Sequence, residues 1–251
     1  EELSWGDAGI AVHISASGLT AKAIEAMGTP EQRRRWLTPF CNPNNEAKIP
    51  HTGAFGLTEP GAGSNVTGLA TTAKRDGSDW VLNGTKQFIT NGGIADVTVI
   101  IAQTNPGAAS SAERAAGLAG FMVEKGAKGL RAGGDYLKWG VLASNTTELV
   151  LEDVRVPAEH KLGADGVGGM MGVVATLEAA RVIVGSGALG IARAAFETAL
   201  AYAKTRVQKK PIIEFQAVGH TLADLEVQIN AARMLVWKAA WMATNEVPFT
   251  R

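Results

Sequence analysis

A single cysteine, Cys41, stands in 251 residues. No intrachain disulfide can form, and a reducing compartment is the simplest setting. An excess of charge of either sign is also missing: 24 Lys and Arg face 24 Asp and Glu. No global field invites nucleic acid or an anionic membrane surface. No uninterrupted apolar run approaches the ~18 residues of a membrane span. Glu1-Glu2 is the opposite of a basic n-region, so no signal peptide is expected at the head. The four histidines, His13, His51, His160 and His220, lack metal-ligand spacing, and Cys41 has no thiol partner, so no metal is expected. A Gly-x-Ser-x-Gly elbow is missing, which argues against a serine hydrolase.

What is present fits a soluble globular protein: 46% hydrophobic and 19% charged residues. The length suits one large domain or two to three small ones. Both ends read as cut. The head carries Glu1 rather than methionine, and the closing NEVPFTR follows a helical pattern still apolar at Trp237 and Trp241.

Hydrophobic periodicity divides the chain into three. Residues 1–50 read as helical: Thr29 suits an N-cap with Pro30 at the first helical position and Glu31 in the first turn, and Gly28 suits a C-cap for the helix before it. Cys41 to Gly53 reads as a loop from its Asn, Pro and Gly content. Over residues 51–163 the period falls to two. Asp76-Gly77 and Asn83-Gly84 are turn dipeptides around a short strand candidate at Trp80 to Leu82, and Val97 to Ala102 is a β-branched run. TELVLEDVRVP places Leu149 and Leu151 inward and Glu148 and Glu152 outward, then Val154 and Val156, stopping at Pro157. Gly107 to Gly117 reads as a mobile loop. Residues 164–251 return to a helical pattern. Val218, Leu222, Leu225, Ile229, Ala232, Val236 and Ala239 form a 4-3 seam suited to helix packing, and Gly185, Gly187 and Gly190 let helices approach closely. The expected fold is α+β and multi-domain: part of an N-terminal helical domain, a central β-barrel or sandwich, and the start of a C-terminal helical bundle.

Three stretches carry candidate chemistry. GLTEPGAGSNVTG, Gly56 to Gly68, concentrates turn formers, hydroxyls and an acid. Its glycines leave backbone N–H groups open to form an anion nest, Thr58 and Ser64 add hydroxyls, and Glu59-Pro60-Gly61 reads as a tight turn. It contains neither a Walker A pattern nor a G-x-G-x-x-G. On composition alone a plain surface loop is the more economical reading. KQFITNGG, Lys86 to Gly93, sets Phe88 and Thr90 on one strand face and Ile89 on the other. An aromatic beside a hydroxyl can stack on a planar ring and donate to its heteroatoms; a strand ending in a turn explains it equally. Arg181 and Arg206 offer forked donors for phosphate or are merely solvated helix arginines.

Taken in order, these stretches resemble the acyl-CoA dehydrogenase family of flavoproteins. The marks are GLTEPGAGSN at 56–65, NGTKQFITNG at 83–92 with AD at 95–96, KWGVLASNTTELVLEDVRVP at 138–157, RVIVGSGALGIARAAFETALAYAKTR at 181–206 and FQAVGHTLADLEVQINAAR at 215–233, with GTPEQRRRWL at 28–37 in the N-terminal helical part. The resemblance implies FAD as cofactor and α,β-dehydrogenation of an acyl-CoA, with an electron-transferring flavoprotein as acceptor. It places Phe55, Leu57, Thr58 and Gly63 along the flavin, and Ser64 where flavin and acyl-CoA meet. Phe88, Ile89 and Thr90 take the family's Trp-Ile-Thr position. Glu178 and Arg181 border the CoA, and Arg206 and Gln216 reach the FAD of a neighbouring subunit in a homotetramer or homodimer. It implies no nucleic acid and no membrane partner, and a bacterial cytoplasm or mitochondrial matrix. The family's usual catalytic glutamate falls beyond Arg251; a minority carry it just before the arginine matching Arg181, where this chain has Ala180. No catalytic base is therefore assigned, and the 251 residues are expected not to turn over. RVQKKPIIEFQ lacks the family's Phe-Gly after Arg206 and is one residue short, Asn65 replaces an Asp, and Phe88 replaces a Trp. A flavoprotein of the same fold with other chemistry is the alternative: an acyl-CoA oxidase, a flavin monooxygenase or the DNA-associated relative. Of these, a DNA-binding relative should carry a basic stripe, and the visible C-terminal part is not basic. A non-enzymatic helical interaction protein would explain only the seam.

Overall fold

The computed structural model describes residues 1–42, 51–164 and 169–248. The chain forms two compact units, one of Glu1–Val12 with Glu178–Arg251 and one of His13–Leu177. The loop expected at 41–53 falls largely outside the described residues.

In the larger unit the helical part comprises most of α2 (Ala8–Met27), then α3 (Pro30–Leu37) and a 3-10 turn at Thr38–Cys41. Thr29 caps α3 as its sequence predicts: its hydroxyl accepts from the Gln32 amide, and the Gln32 side chain answers with the Thr29 amide. Seven strands follow: β1 (Gly53–Gly56), β2 (Thr72–Asp76), β3 (Asp79–Thr90), β4 (Val97–Gln103), β5 (Leu118–Glu124), β6 (Leu130–Ala132) and β7 (Thr146–Pro157). They pair in the order β1-β4-β2-β3-β7-β6, with β5 antiparallel along β4 and β1 parallel to it. The result is a curled sheet, the central β domain that the alternating pattern predicts.

At β4 the sheet is buried on both faces. From β4, Ile100 and Ala102 enter a core with Leu82, Ile89, Phe121, Leu149, Leu151, Val154 and Val156. Val97, Val99 and Ile101 point the other way, onto Ala23, Ile24 and Met27 of α2, Trp36 of α3 and Leu69. This explains why β4 reads as a continuous apolar run: a strand covered on both faces has no reason to alternate.

Two β-bulges interrupt the β3–β7 ladder, and the first corrects the sequence reading. Leu82 pairs with Val154 and Gly84 with Leu151, so Asn83 opposes both Glu152 and Asp153. Asp153 takes φ 50°, and Asn83 clamps it, donating from Nδ2 to its carboxylate at 3.0 Å and accepting from its amide at 2.9 Å. Asn83-Gly84 is therefore no turn. It lies inside β3, and Gly84 is required there because a Cβ would stand 2.7 Å from the Thr71 Cα. The Asp76-Gly77 turn is present, joining β2 to β3. The segment 107–117, expected as a mobile loop, contains α4 (Ser111–Ala116), closed by a Ser110–Glu113 capping box.

The smaller unit holds α1 (Glu2–Gly6), the residues of α5 (Gly169–Thr205) from Glu178 onward, a short hairpin of β8 (Val207–Gln208) and β9 (Lys210–Pro211), and α6 (Gln216–Thr244). Gly190 admits α1 against α5, since a Cβ there would lie 2.2 Å from the Glu1 carbonyl oxygen. Gly185 to Gly190 matches G-x-G-x-x-G, but it sits within a helix with no strand before it, so it serves packing and not a dinucleotide. By length and composition α5 is long and apolar enough to cross a membrane, although Glu178, Arg181 and Arg193 interrupt its apolar run. Of the α6 seam, Leu222 is buried, Val218, Ile229, Val236 and Ala239 are half-buried, and Leu225 and Ala232 are exposed.

One buried histidine ties the sheet to α3. His160 Nδ1 lies 3.1 Å from the Met122 carbonyl, which can only accept, so that nitrogen carries the proton. Nε2 then accepts from Arg35 at 3.1 Å, and Trp36 packs edge-on at 5.0 Å. Burial, and then the Arg35 charge, hold the His160 pKa below its ordinary value. A histidine kept neutral by the fold binds fewer protons folded than unfolded. Its stabilising contribution is complete above the unfolded value of about 6.5 and declines as pH falls below it. The thermal midpoint of the chain should therefore drop between pH 7.5 and pH 5.5. H160Q should lower the midpoint at pH 7.5 and flatten that decline; equal slopes for the two proteins would refute the assignment.

Candidate functional site

The Gly-rich stretch folds back on itself at once. The Glu59 amide donates to the Ala62 carbonyl at 2.9 Å and the Ala62 amide returns to Glu59 at 3.2 Å, so Glu59-Pro60-Gly61 is the tight turn its residues predict. The Glu59 side chain does not face solvent. It is 4% exposed and meets Lys86 Nζ at 2.6 Å, itself 0% exposed. Lys86 donates also to the Leu57 carbonyl at 3.1 Å. The Ala70 amide donates to one Glu59 oxygen at 2.6 Å and the Thr71 amide to the other at 3.0 Å. One ion pair therefore fastens residues 57–59 and 70–71 to β3. The Gln87 amide adds a bond to the Thr58 carbonyl at 2.8 Å.

The pair is ionised at neutral pH. Burial alone would raise the Glu59 pKa, but the Lys86 charge and the bonds from Lys86, Thr71 and Ala70 outweigh it and leave it below the usual range. Burial pushes Lys86 down to about 8, with Glu59 opposing.

Immediately after Lys86 comes the second bulge. Lys86 pairs with Leu149 and Ile89 with Thr147, so Gln87 and Phe88 together oppose Glu148. Phe88 takes φ 58°, a conformation that costs a bulky residue ~1–3 kcal/mol and that clusters at functional sites. The bulge turns its ring outward: Phe88 is 60% exposed, Ile89 is 2% exposed and Thr90 is half-buried. The Phe88 ring lies 5.1 Å from that of Tyr136. Phe55 and Leu57 are half-buried against the helix-side core at the end of β1. Thr58 is half-buried, and Gly63 and Ser64 are exposed. Among the described residues the Thr58, Ser64 and Thr90 side chains make no hydrogen bond and remain available to a ligand.

The remaining candidates belong to the smaller unit. Arg181 lies on α5, exposed, and Glu178 is half-buried three residues before it. Arg206 is exposed just after α5, and Gln216 is the first residue of α6. The short connection between them closes as the β8–β9 hairpin, with Lys209 at φ 67°. No group of three or more His, Cys, Asp or Glu is placed to hold a metal among the described residues.

Sequence reasoning missed two residues of this site. Lys86 had a signal: it shares the inward phase of β3 with Leu82, where an unpaired charge would be costly. Arg114 had none. It donates to the carbonyls of Thr67 at 2.6 Å and Leu69 at 2.8 Å, bracing the far end of the Gly-rich stretch from α4. R114A removes two charge-assisted bonds and should cost on the order of 1–3 kcal/mol. It should also speed proteolytic cleavage within residues 60–69 several-fold, read by mass spectrometry of limited digests. Unchanged cleavage there would mean the loop holds its shape without Arg114.

Comparison with known proteins identifies the family. Three family models match in order: the acyl-CoA dehydrogenase N-terminal domain over residues 1–43, the middle domain over 54–154 and the C-terminal domain over 168–251. A short-chain specific acyl-CoA dehydrogenase of Megasphaera elsdenii is 42% identical over the whole chain, which covers 63% of that protein. The solved butyryl-CoA dehydrogenase from Megasphaera elsdenii superposes with a TM-score of 0.89 at 40% identity, over 99% of this chain and 62% of that one. A glutaryl-CoA dehydrogenase from Mycobacterium smegmatis, solved in complex with FADH2, gives 0.84 at 36% identity, over 98% of this chain and 60% of that one. The chain thus spans under two thirds of the relatives it matches, with all three domain models represented, and it belongs to the acyl-CoA dehydrogenase family.

Proposed function

We propose that the chain is the FAD- and thioester-binding part of an acyl-CoA dehydrogenase. The observation that carries this is the exposed, strained Phe88, set beside the uncommitted hydroxyls of Thr58 and Thr90 on a frame pinned by buried charge. An aromatic face with nearby donors suits a planar heteroaromatic ring. When bound, FAD supplies the acceptor for a hydride from the acyl β-carbon, as a base removes the α-proton.

The roles of the residues follow. Phe55, Leu57, Thr58 and Gly63 border the flavin. Phe88 covers its face, Ile89 anchors the strand beneath and Thr90 donates to the ring. Ser64 hydrogen-bonds where flavin and thioester meet. Glu178 and Arg181 border the CoA, the guanidinium suiting a phosphate. Arg206 and Gln216 act on the FAD of a neighbouring copy in a homodimer or homotetramer. Residues 1–50, 51–163 and 164–251 form the N-terminal helical, central β and C-terminal helical domains. An electron-transferring flavoprotein takes the electrons, in a bacterial cytoplasm or mitochondrial matrix. The substrate is a short-chain acyl-CoA, a reading supported by the names of the relatives. No carboxylate here is assigned as the base, and Ala180 cannot serve.

The test is a visible spectrum of the 251-residue chain with FAD, before and after anaerobic addition of acyl-CoAs from butyryl to palmitoyl. Bound oxidised flavin is expected, with a band shift largest for butyryl-CoA and no bleaching. T90V should weaken FAD binding by about tenfold, the equivalent of one lost hydrogen bond. Bleaching would establish a base within these residues, and failure to bind FAD would overturn the reading.

A further inference from the structure

We propose that the buried Glu59–Lys86 pair is a positioning device for the flavin-facing surface, setting FAD affinity by fixing residues 57–58 against Phe88–Thr90. The proposal rests on the FAD reading above.

Stability alone does not account for the pair. Replacing a buried ion pair by apolar residues of similar volume is often neutral or stabilising, because two charges must be desolvated to form it. Lys86 also occupies a position whose backbone ladder to Leu149 is complete without its side chain. What the two charges do, and a pair of apolar residues could not, is hold named backbone atoms. Lys86 takes the Leu57 carbonyl, and Glu59 takes the Ala70 and Thr71 amides. The pair thus grips both ends of the glycine-rich loop at one point on β3. That point lies two residues before Phe88. The Gln87–Thr58 bond, between backbone groups, joins the same two segments one residue nearer. Between the clamped ends the loop is shaped by the Glu59–Ala62 bonds and by Arg114 on the Thr67 and Leu69 carbonyls, none of which holds residues 57–58. Gly61 and Gly63 have open space where a Cβ would stand, and Pro60, Gly61, Gly63, Ser64 and Asn65 are exposed. Without the clamp, residues 57–58 would keep the Gln87–Thr58 bond but lose the hold of Lys86 on the Leu57 carbonyl, and would be less firmly set against a ring-facing strand that the sheet holds still. A site pre-organised before its ligand arrives binds more tightly because less ordering remains to be done.

The experiment compares the 251-residue chain with E59Q, K86M and the double variant E59L/K86M. Three quantities are read: the FAD dissociation constant from flavin fluorescence, the thermal midpoint of the apo chain, and hydrogen exchange of the Ala70, Thr71 and Gln87 amides. Each single variant strands a buried partner and should lower the midpoint. The double variant strands no charge, though the Thr71 amide and the Leu57 carbonyl lose their side-chain partners, and it should recover part of the loss. If the pair positions the loop, the double variant still binds FAD about tenfold or more weakly, and the Ala70 and Thr71 amides exchange faster while those of β4 stay protected. FAD affinity within twofold of the parent in the double variant, with the midpoint partly restored, would overturn the proposal and leave the pair a structural one. Should the double variant fail to fold, E59Q decides the matter by the same affinity and exchange measurements. T90V separates this from the underlying reading. If the parent binds FAD and T90V weakens it but the pair variants do not, only the positioning role fails. If the parent binds no FAD, the flavin reading fails and this proposal with it.

Discussion

A salt bridge with almost no exposed surface, Glu59 to Lys86 at 2.6 Å, is the constraint on which the candidate site depends. Breaking such a pair from one side leaves a bare charge in the interior, at a cost of ~3–5 kcal/mol. The fold therefore cannot move the loop at 57–71 away from β3 without exposing or stranding one of the two charges. Leu57, Thr58 and Phe88 come from segments about thirty residues apart, yet they share one anchor. The geometry of the candidate surface is thus fixed by the layer beneath it.

The two bulges do complementary work. At Asp153 the extra residue is on β7, clamped by Asn83, and it preserves the inward phase of Val154 and Val156 after Leu151. At Phe88 the extra residue is on β3, and it keeps Ile89 inward while turning an aromatic ring out. Without the second bulge strict alternation from Lys86 would bring Phe88 inward and Ile89 out. The exposed ring is therefore a consequence of register, and the strain at φ 58° is its cost.

Much of this was legible from the sequence, and the rest was not for identifiable reasons. Local signals carried through: the Thr29 cap, the Asp76-Gly77 turn, the alternation of β7 and the tight turn at Glu59-Pro60-Gly61 are all properties of adjacent residues. Asn83-Gly84 misled because the same dipeptide suits a hairpin turn and a bulge, and only the strand across from it decides. Residues 107–117 misled because small residues hid a capping box, Ser110 with Glu113, inside a stretch that composition reads as loose. Arg114 was illegible, since nothing near it in sequence says that it will reach the Thr67 and Leu69 carbonyls.

The arginines of the smaller unit make the same distinction between local and distant signals. Arg181, Arg193 and Arg233 look alike in sequence, each a helix arginine among small residues, and Arg206 follows directly on α5. Their partners separate them. Arg193 pairs with Glu1, Glu2 and Glu197, and Arg233 with Glu1 at 2.8 Å, while the Trp5 indole donates to Glu197 at 2.8 Å. Hydrogen bonding to Glu2 and nearby carboxylate charge raise the Arg193 pKa against burial, and hydrogen bonding to Glu1 raises that of Arg233. These two guanidiniums are committed to holding α1. Arg181 and Arg206 are exposed and make no ion pair among the described residues. An arginine already ringed by carboxylates presents little field to a phosphate, whereas an unpaired one keeps its full fork of donors. The division of labour that sequence leaves open is thus set by where three acids fall, and Arg181 and Arg206 are the arginines of the four that keep their donors uncommitted to an ion pair among the described residues.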